Sequence, residues 1–121
     1  MTTYQINVGA KGEELAVQFL TDNGYVVVAR NQHLRFGEID IVCRDGPTTV
    51  FCEVKTRHSR TFGLPEEALT TQKLRKIVHA AQRYLSVHGL EDADWRIDFI
   101  AIEERTPGEA PRIALYKGVG W

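Results

Sequence analysis

Asp40, Glu53 and Lys55 are residues of this chain whose types and spacing could together do chemistry. Asp40 lies in the stretch Phe36-Gly37-Glu38-Ile39-Asp40-Ile41-Val42, and the other two lie in Val50-Phe51-Cys52-Glu53-Val54-Lys55-Thr56-Arg57. Two carboxylates a few ångströms apart suit a hard cation such as Mg²⁺ or Mn²⁺, which takes few protein carboxylates and keeps waters for a substrate. A cation so held lowers the pKa of its water and polarises a phosphoryl oxygen. An adjacent ammonium can hold the attacking water or stabilise the charge that develops on the phosphate. The chemistry open to such a trio is cleavage of a phosphodiester.

The elements that must position these groups are two strands. Both segments are rich in β-branched and aromatic residues, and Asp45-Gly46-Pro47 between them is turn chemistry. Alternation puts Glu38 with Asp40 on one face and Glu53 with Lys55 on one face. Ile39, Ile41 and Cys43, and on the second strand Val50, Cys52 and Val54, take the opposite faces. A hairpin that pairs Cys43 with Val50 sets Asp40 opposite Glu53, with Lys55 beyond. From spacing alone the trio reads as readily as a cross-strand salt-bridge cluster on a solvated face.

The surrounding words carry a resemblance. Asp40, Glu53 and Lys55 are similar to the PD-(D/E)xK nuclease signature, with Ile39 where proline often precedes the aspartate. Gly12-Glu13, Gly37-Glu38-Ile39-Asp40, the run from Phe51 to Arg57, Phe62-Gly63, Lys73 and Arg96-Ile97-Asp98-Phe99 follow in order. Together they resemble the YraN-type family of small bacterial proteins, distant relatives of archaeal Holliday-junction resolvases, over residues 9–103. The resemblance implies a restriction-endonuclease-like core and a Mg²⁺- or Mn²⁺-dependent endonuclease acting on DNA, with branched or structured DNA as candidate substrate. Asp40 and Glu53 would then hold the metal with a backbone carbonyl near Val54, and Lys55 would orient the nucleophile. Glu13 matches the family's Gly-Glu word and joins the site; Glu38 ranks behind Asp40 as an extra site acid. Lys73 becomes a phosphate contact. A homodimer is expected by analogy with the resolvases alone. The competing expectation is a non-catalytic nucleic-acid-binding or scaffold protein that keeps the nuclease fold.

Composition bounds these readings. A chain of 121 residues, 43% hydrophobic and 26% charged, suits one globular domain over residues 1–121. A net charge of −1 is permissive for nucleic-acid binding and no more, since phosphate neutralisation usually calls for a basic domain. Its distribution helps: Lys55, Arg57, Arg60, Lys73, Arg75, Lys76 and Arg83 stand against only Glu66 and Glu67 in that span. Arg57 and Arg60, with His58, fall in a polar loop over residues 56–64 that would rim the site and suit phosphate. No basic, apolar leader opens the chain and no apolar run reaches membrane-spanning length, so a cytoplasmic protein that does not enter the membrane is expected. Cys43 and Cys52 lack further ligands at zinc spacing and read as buried thiols.

The remaining elements complete an α/β order of αβββαβ with a short C-terminal strand. A helix over residues 10–23, stopped by Gly24, buries Leu15, Ala16, Phe19 and Leu20. Glu13 borders that stripe and wants a partner there, unless it is only an acid favoured by the helix dipole; Glu14 faces water. Residues 25–30 read as a strand buried on both faces and residues 31–35 as a polar link. A second helix begins at Thr70 or Thr71 and ends at residue 88, burying Leu74, Ile77, Val78, Ala81 and Leu85. Its stripe of Gln72, Lys76, His79 and Arg83 faces water, with Lys73 on the flank. An internal strand over 95–103 carries Asp98 as an ion-pair partner, and an edge strand covers 112–117. Trp121 ends the chain as a residue that packs back or meets a partner. The strand-helix-strand unit predicts parallel pairing, and the first three strands antiparallel pairing, in one mixed β-sheet flanked by helices.

Overall fold

The computed structural model describes residues 8–35, 37–57, 69–105 and 108–119. Phe36, His58, Arg60, Phe62-Gly63 and Trp121 therefore lie outside the described residues, and the expectations placed on them are not addressed by the fold. Helix α1 (Val8–Asp22) leads into strands β1 (Val26–Leu34), β2 (Gly37–Asp45) and β3 (Thr48–Arg57). Helix α2 (Thr71–Val87) and strands β4 (Trp95–Glu103) and β5 (Arg112–Tyr116) follow. The five strands form one sheet in the order β1-β2-β3-β4-β5. β3 and β4 are parallel and joined through α2; the other neighbours are antiparallel.

The hairpin register is the expected one: Cys43 pairs with Val50, and Ile41 with Cys52 is the last pair before the two strands part. The sheet divides the core in two. On the α1 side, Ala16 and Leu20 pack with Tyr25, Ile41, Cys43, Val50, Cys52, Ile100 and Ile102. On the α2 side, Ile77, Ala80, Ala81, Tyr84 and Leu85 pack with Ile39, Val42, Phe51 and Ile97. Each large side chain buried this way stabilises the fold by about 1.5–3 kcal/mol. Cys43 and Cys52 are buried free thiols as expected, with sulfurs 3.7 Å apart, and they lie on the α1 side.

Both helices are closed by local chemistry. Gly24 takes φ +87 after α1, and the Tyr25 N–H donates to the Leu20 carbonyl at 3.0 Å. Thr70 caps α2, its hydroxyl accepting from the Lys73 N–H at 3.2 Å. That cap fixes the first turn of α2, and with it the base of Lys73.

Four details depart from the expected arrangement. Strand β1 is an edge strand and not doubly buried: Val26 and Val28 are 53% and 51% exposed, and a bulge between Val27 and Ala29 shifts its register. An apolar run satisfies an edge as well as a centre, because periodicity does not report neighbours. The polar link over residues 31–35 is mostly strand, since β1 runs on to Leu34 and pairs with β2 throughout. Ile39 packs with Val42 under α2 and not with Ile41 and Cys43, so strict alternation breaks at Asp40, where the β2–β3 ladder also ends. In the helices, Phe19 is only half buried, while Ala80 and Tyr84 join the α2 stripe. Tyr84 meets the Phe51 ring edge-on at 5.6 Å, a tertiary contact no helical period announces.

Asp98 is fully buried and sits in a network, more than a strand-end ion pair. Arg96 donates to its two oxygens at 3.0 and 3.2 Å, the Tyr25 hydroxyl donates at 3.3 Å, and the Gly118 N–H donates at 3.0 Å. Arg96 also donates to Asp45 at 2.9 Å and to the Tyr25 oxygen at 2.9 Å. Burial, and then the charge of Asp98, push the Tyr25 hydroxyl up to about 12. The network ties the β2–β3 turn, the exit of α1, β4 and the segment after β5 together on the α1 face.

Candidate functional site

The site forms where β2 and β3 part. One step past the Ile41–Cys52 pair, Asp40 stands level with Glu53. In place of a ladder bond, the Val54 N–H donates to Asp40 Oδ2 at 2.8 Å. The contact of Val54 with this pair is thus through its N–H. The Asp40 and Glu53 carboxyls lie close enough to perturb one another. Burial raises Asp40, partly offset by the Val54 N–H and by Glu53. Burial, then the charge and hydrogen bond of Asp40, push Glu53 up to about 8, against the pull of Lys55 and Lys73. Two carboxyls coupled in this way titrate as a unit and favour holding one proton between them.

Helix α2 roofs the pair. An open cleft of about 320 Å³ is lined by Gly37, Glu38, Asp40, Glu53, Lys73, Lys76 and Ile77. Lys73 and Lys76 are exposed and stand three residues apart, neighbours on the helix surface. Glu38 lines the cleft too, and its exposed carboxylate pairs with His33 at 3.0 Å. Lys55 lies two residues past Glu53 on β3; it is exposed and lowers both carboxyls through its charge.

Glu13 approaches from the α1 side and is not part of the cleft lining. It is half buried, and burial and then the charge of Asp40 raise its carboxyl, against Arg30 and Asn31. The Asn31 amide, with its nitrogen toward the carboxylate, donates to both Glu13 oxygens at 2.7 and 3.2 Å. Glu14 is exposed as expected and accepts from Arg30 at 2.6 Å. Close approach of α1 to β3 is set by Gly12, where a Cβ would collide with the Thr56 hydroxyl. The Gly-Glu word therefore has a packing reason beside its carboxylate.

Arg57 closes β3 with its carbonyl accepting from the Glu104 N–H at 2.7 Å. Its Nε is buried with no hydrogen-bond partner among the described residues. Two residues stand out only in the folded chain. Lys76 is exposed, as its polar stripe predicts, yet it also lines the cleft, and its place three residues after Lys73 is the signal for this in the sequence. Asn31 lies in β1 and not in a link, with φ +51, a left-handed backbone that asparagine tolerates.

Among the described residues, no group of three His, Cys, Asp or Glu side chains is gathered tightly enough to hold a metal ion by itself. The Asp40–Glu53 pair still fits a hard divalent cation. It offers oxygen donors from two carboxyls, and Mg²⁺ keeps most of its ligands as water. Zinc is a poor match, since the thiols lie on the other face of the sheet.

Among the described residues, a mixed five-stranded sheet flanked by two helices, with paired acids where β2 and β3 diverge, is a restriction-endonuclease-like α/β arrangement. The model of the uncharacterised protein family UPF0102 matches residues 12–102. The chain belongs to this family, the YraN-type family whose words it carries. It is 44% identical over 101 residues to the UPF0102 protein STH1475 of Symbiobacterium thermophilum, covering 84% of this chain and 86% of that one. It is 45% identical over 106 residues to GSU0650 of Geobacter sulfurreducens, covering 88% and 82%. A UPF0102 protein of Beutenbergia cavernae is 44% identical over 113 residues, covering 93% and 95%. No helix among the described residues is long and apolar enough to cross a membrane.

Proposed function

We propose that this protein is a divalent-metal-dependent nuclease that hydrolyses phosphodiester bonds in DNA, with branched or structured DNA as the first substrates to try. The observation that carries the reading is the Asp40–Glu53 pair, set level where β2 and β3 part, in a cleft lined by Lys73 and Lys76. Asp40 and Glu53 would hold Mg²⁺ or Mn²⁺, with the main chain at Val54 alongside. Such a cation, when bound, supplies an acidified water and a polarised phosphoryl oxygen. The protein's own groups do the rest. Lys73 and Lys76 grip phosphate oxygens and place the backbone over the pair. Lys55 orients the nucleophilic water and offsets charge on the phosphate. Glu13 accepts or relays a proton from the α1 side, and Glu38 extends the acidic floor. Among the described residues no element for reading base edges stands out, so the contacts proposed run to phosphate and shape.

The test is cleavage of supercoiled, single-stranded and four-way-junction DNA, and of RNA, in Mn²⁺ and Mg²⁺. Wild type is compared with Asp40→Asn and Glu53→Gln. Metal-dependent cutting abolished in both variants is expected; cutting that survives in both places the activity elsewhere or in a contaminant. A second reading is favoured by the lack of a third metal-ligating side chain in the described part of the site. Under it the protein binds nucleic acid through Lys73, Lys76 and Arg57 without turnover. Salt-dependent DNA binding with no cleavage in any divalent metal would select it.

A further inference from the structure

Asn31 is the one non-glycine among the described residues with left-handed backbone, at φ +51. It stands within β1 and not at a hairpin tip. The flanking pairs, Arg30 with Ile41 and Gln32 with Ile39, put it level with Asp40. Asn31, Asp40 and Glu53 thus stand in one row across three strands. In a regular strand, Asn31 would share a face with its cross-strand neighbour Asp40. Its amide instead reaches Glu13 on α1; oriented with the nitrogen toward the carboxylate, which satisfies both groups, it gives one hydrogen bond to each carboxylate oxygen at 2.7 and 3.2 Å. Unfavourable backbone of this kind persists where the surroundings over-determine it, and such residues gather at functional sites. The residue before it works the same way, for Arg30 donates to Glu14. Two successive residues of β1 thereby hold two successive acids of α1 and fix that helix's rotation over the row.

We infer that Asn31 is a positioning residue whose two-pronged amide holds the Glu13 carboxylate beside Asp40. Because Asn31 stands level with Asp40, a carboxylate held on its amide is held over the same row. The geometry stands by itself; the chemical consequence rests on the reading of Asp40 and Glu53 as a cation site. Outer partners that orient groups at a metal commonly change affinity by roughly 10- to 100-fold when removed.

Asn31→Gly separates positioning from mere tolerance of the backbone, because glycine takes this φ freely and lacks only the amide. The full-length chain, Asn31→Gly, Glu13→Gln and the double variant are melted without metal and titrated calorimetrically with Mn²⁺. Asn31→Gly should melt close to wild type, relief of the left-handed backbone offsetting the lost hydrogen bonds, and bind Mn²⁺ roughly 10- to 100-fold more weakly. The double variant should bind no worse than the weaker single. Wild-type affinity in Asn31→Gly, or a melting point far below wild type, overturns the inference. A readout in the metal-free protein keeps the two ideas apart. The Asn31 side-chain NH₂ cross-peaks in a ¹⁵N correlation spectrum should move in Glu13→Gln, and unmoved peaks overturn the clamp. If wild type binds no Mn²⁺ at all, the cation reading falls and the clamp is judged on those cross-peaks alone.

Discussion

At the scale of single residues, the site is governed by two carboxyls that solvent does not fully reach. The Glu53 carboxyl is raised from its ordinary range to about 8 in the folded protein. A raised folded-state pKa means that the native state binds the proton more tightly than the unfolded chain. The associated stability is complete below about pH 4.5 and is lost as pH rises through about 8. Asp40 and Glu13 are raised as well and act in the same direction. Metal-free wild type should therefore lose melting temperature between pH 5 and 8.5 more steeply than Glu53→Gln, as read by calorimetric scans in EDTA. Mn²⁺ should restore more at the alkaline end, because cation and proton compete for the same oxygens. Parallel slopes for the two proteins would remove the shared proton from the account. The lysines make a separate prediction. If Lys73 and Lys76 contact phosphates, changing each to alanine should weaken DNA binding for all sequences alike. Each change should also lower the salt-dependence slope by about 1, measured by fluorescence anisotropy across salt concentrations.

At the scale of elements, α1 is placed by a glycine. Alanine at Gly12 gains helix propensity of about 1 kcal/mol. Its Cβ would run into the Thr56 hydroxyl on β3, and overpacking costs about 1–3 kcal/mol. Gly12→Ala should thus be neutral to destabilising by about 2 kcal/mol in urea unfolding. Gly12→Ala with Thr56→Ala should recover most of that loss by removing the obstructing atom. Failure of the second change to help would show that α1 does not sit against Thr56. Because Glu13 follows Gly12 directly, displacement of the helix would reach the site through one peptide unit.

At the scale of the whole molecule, the Asp98–Arg96–Tyr25–Asp45 network holds the sheet on the face opposite the α2 cleft. Breaking a buried ion pair from one side costs about 3–5 kcal/mol when the other charge is left stranded, and here Arg96 keeps Asp45, so the lower end applies. Asp98→Ala should destabilise by about that amount in urea. Any Mn²⁺ affinity should be retained at temperatures where the variant remains folded. Loss of affinity in a folded Asp98→Ala protein would instead tie this network to the chemistry. The Arg-x-Asp word of the family thus has a structural meaning here, separate from Asp40, Glu53 and Lys55.

The chain's own order of residues determined a good deal. Alternating apolar residues around Asp45-Gly46 dictated the β2–β3 hairpin, and the same pattern dictated its register with Cys43 on Val50. That register in turn put Asp40 level with Glu53. Thr70 and Gly24 closed their helices because capping is local chemistry, legible from a few neighbouring residues. Other facts were decided only by tertiary structure. Whether Val26 and Val28 meet a neighbour depends on which strand ends the sheet, and the strand's own pattern does not say. Lys76 joins the cleft because α2 crosses the sheet at one particular rotation, which is set by Ile77 and Tyr84 against Phe51 and not by the polar stripe. Asn31 turns to Glu13 because a helix and a strand remote in sequence come to lie side by side. Local spacing specifies faces and turns; which faces meet is settled by packing over the whole sheet.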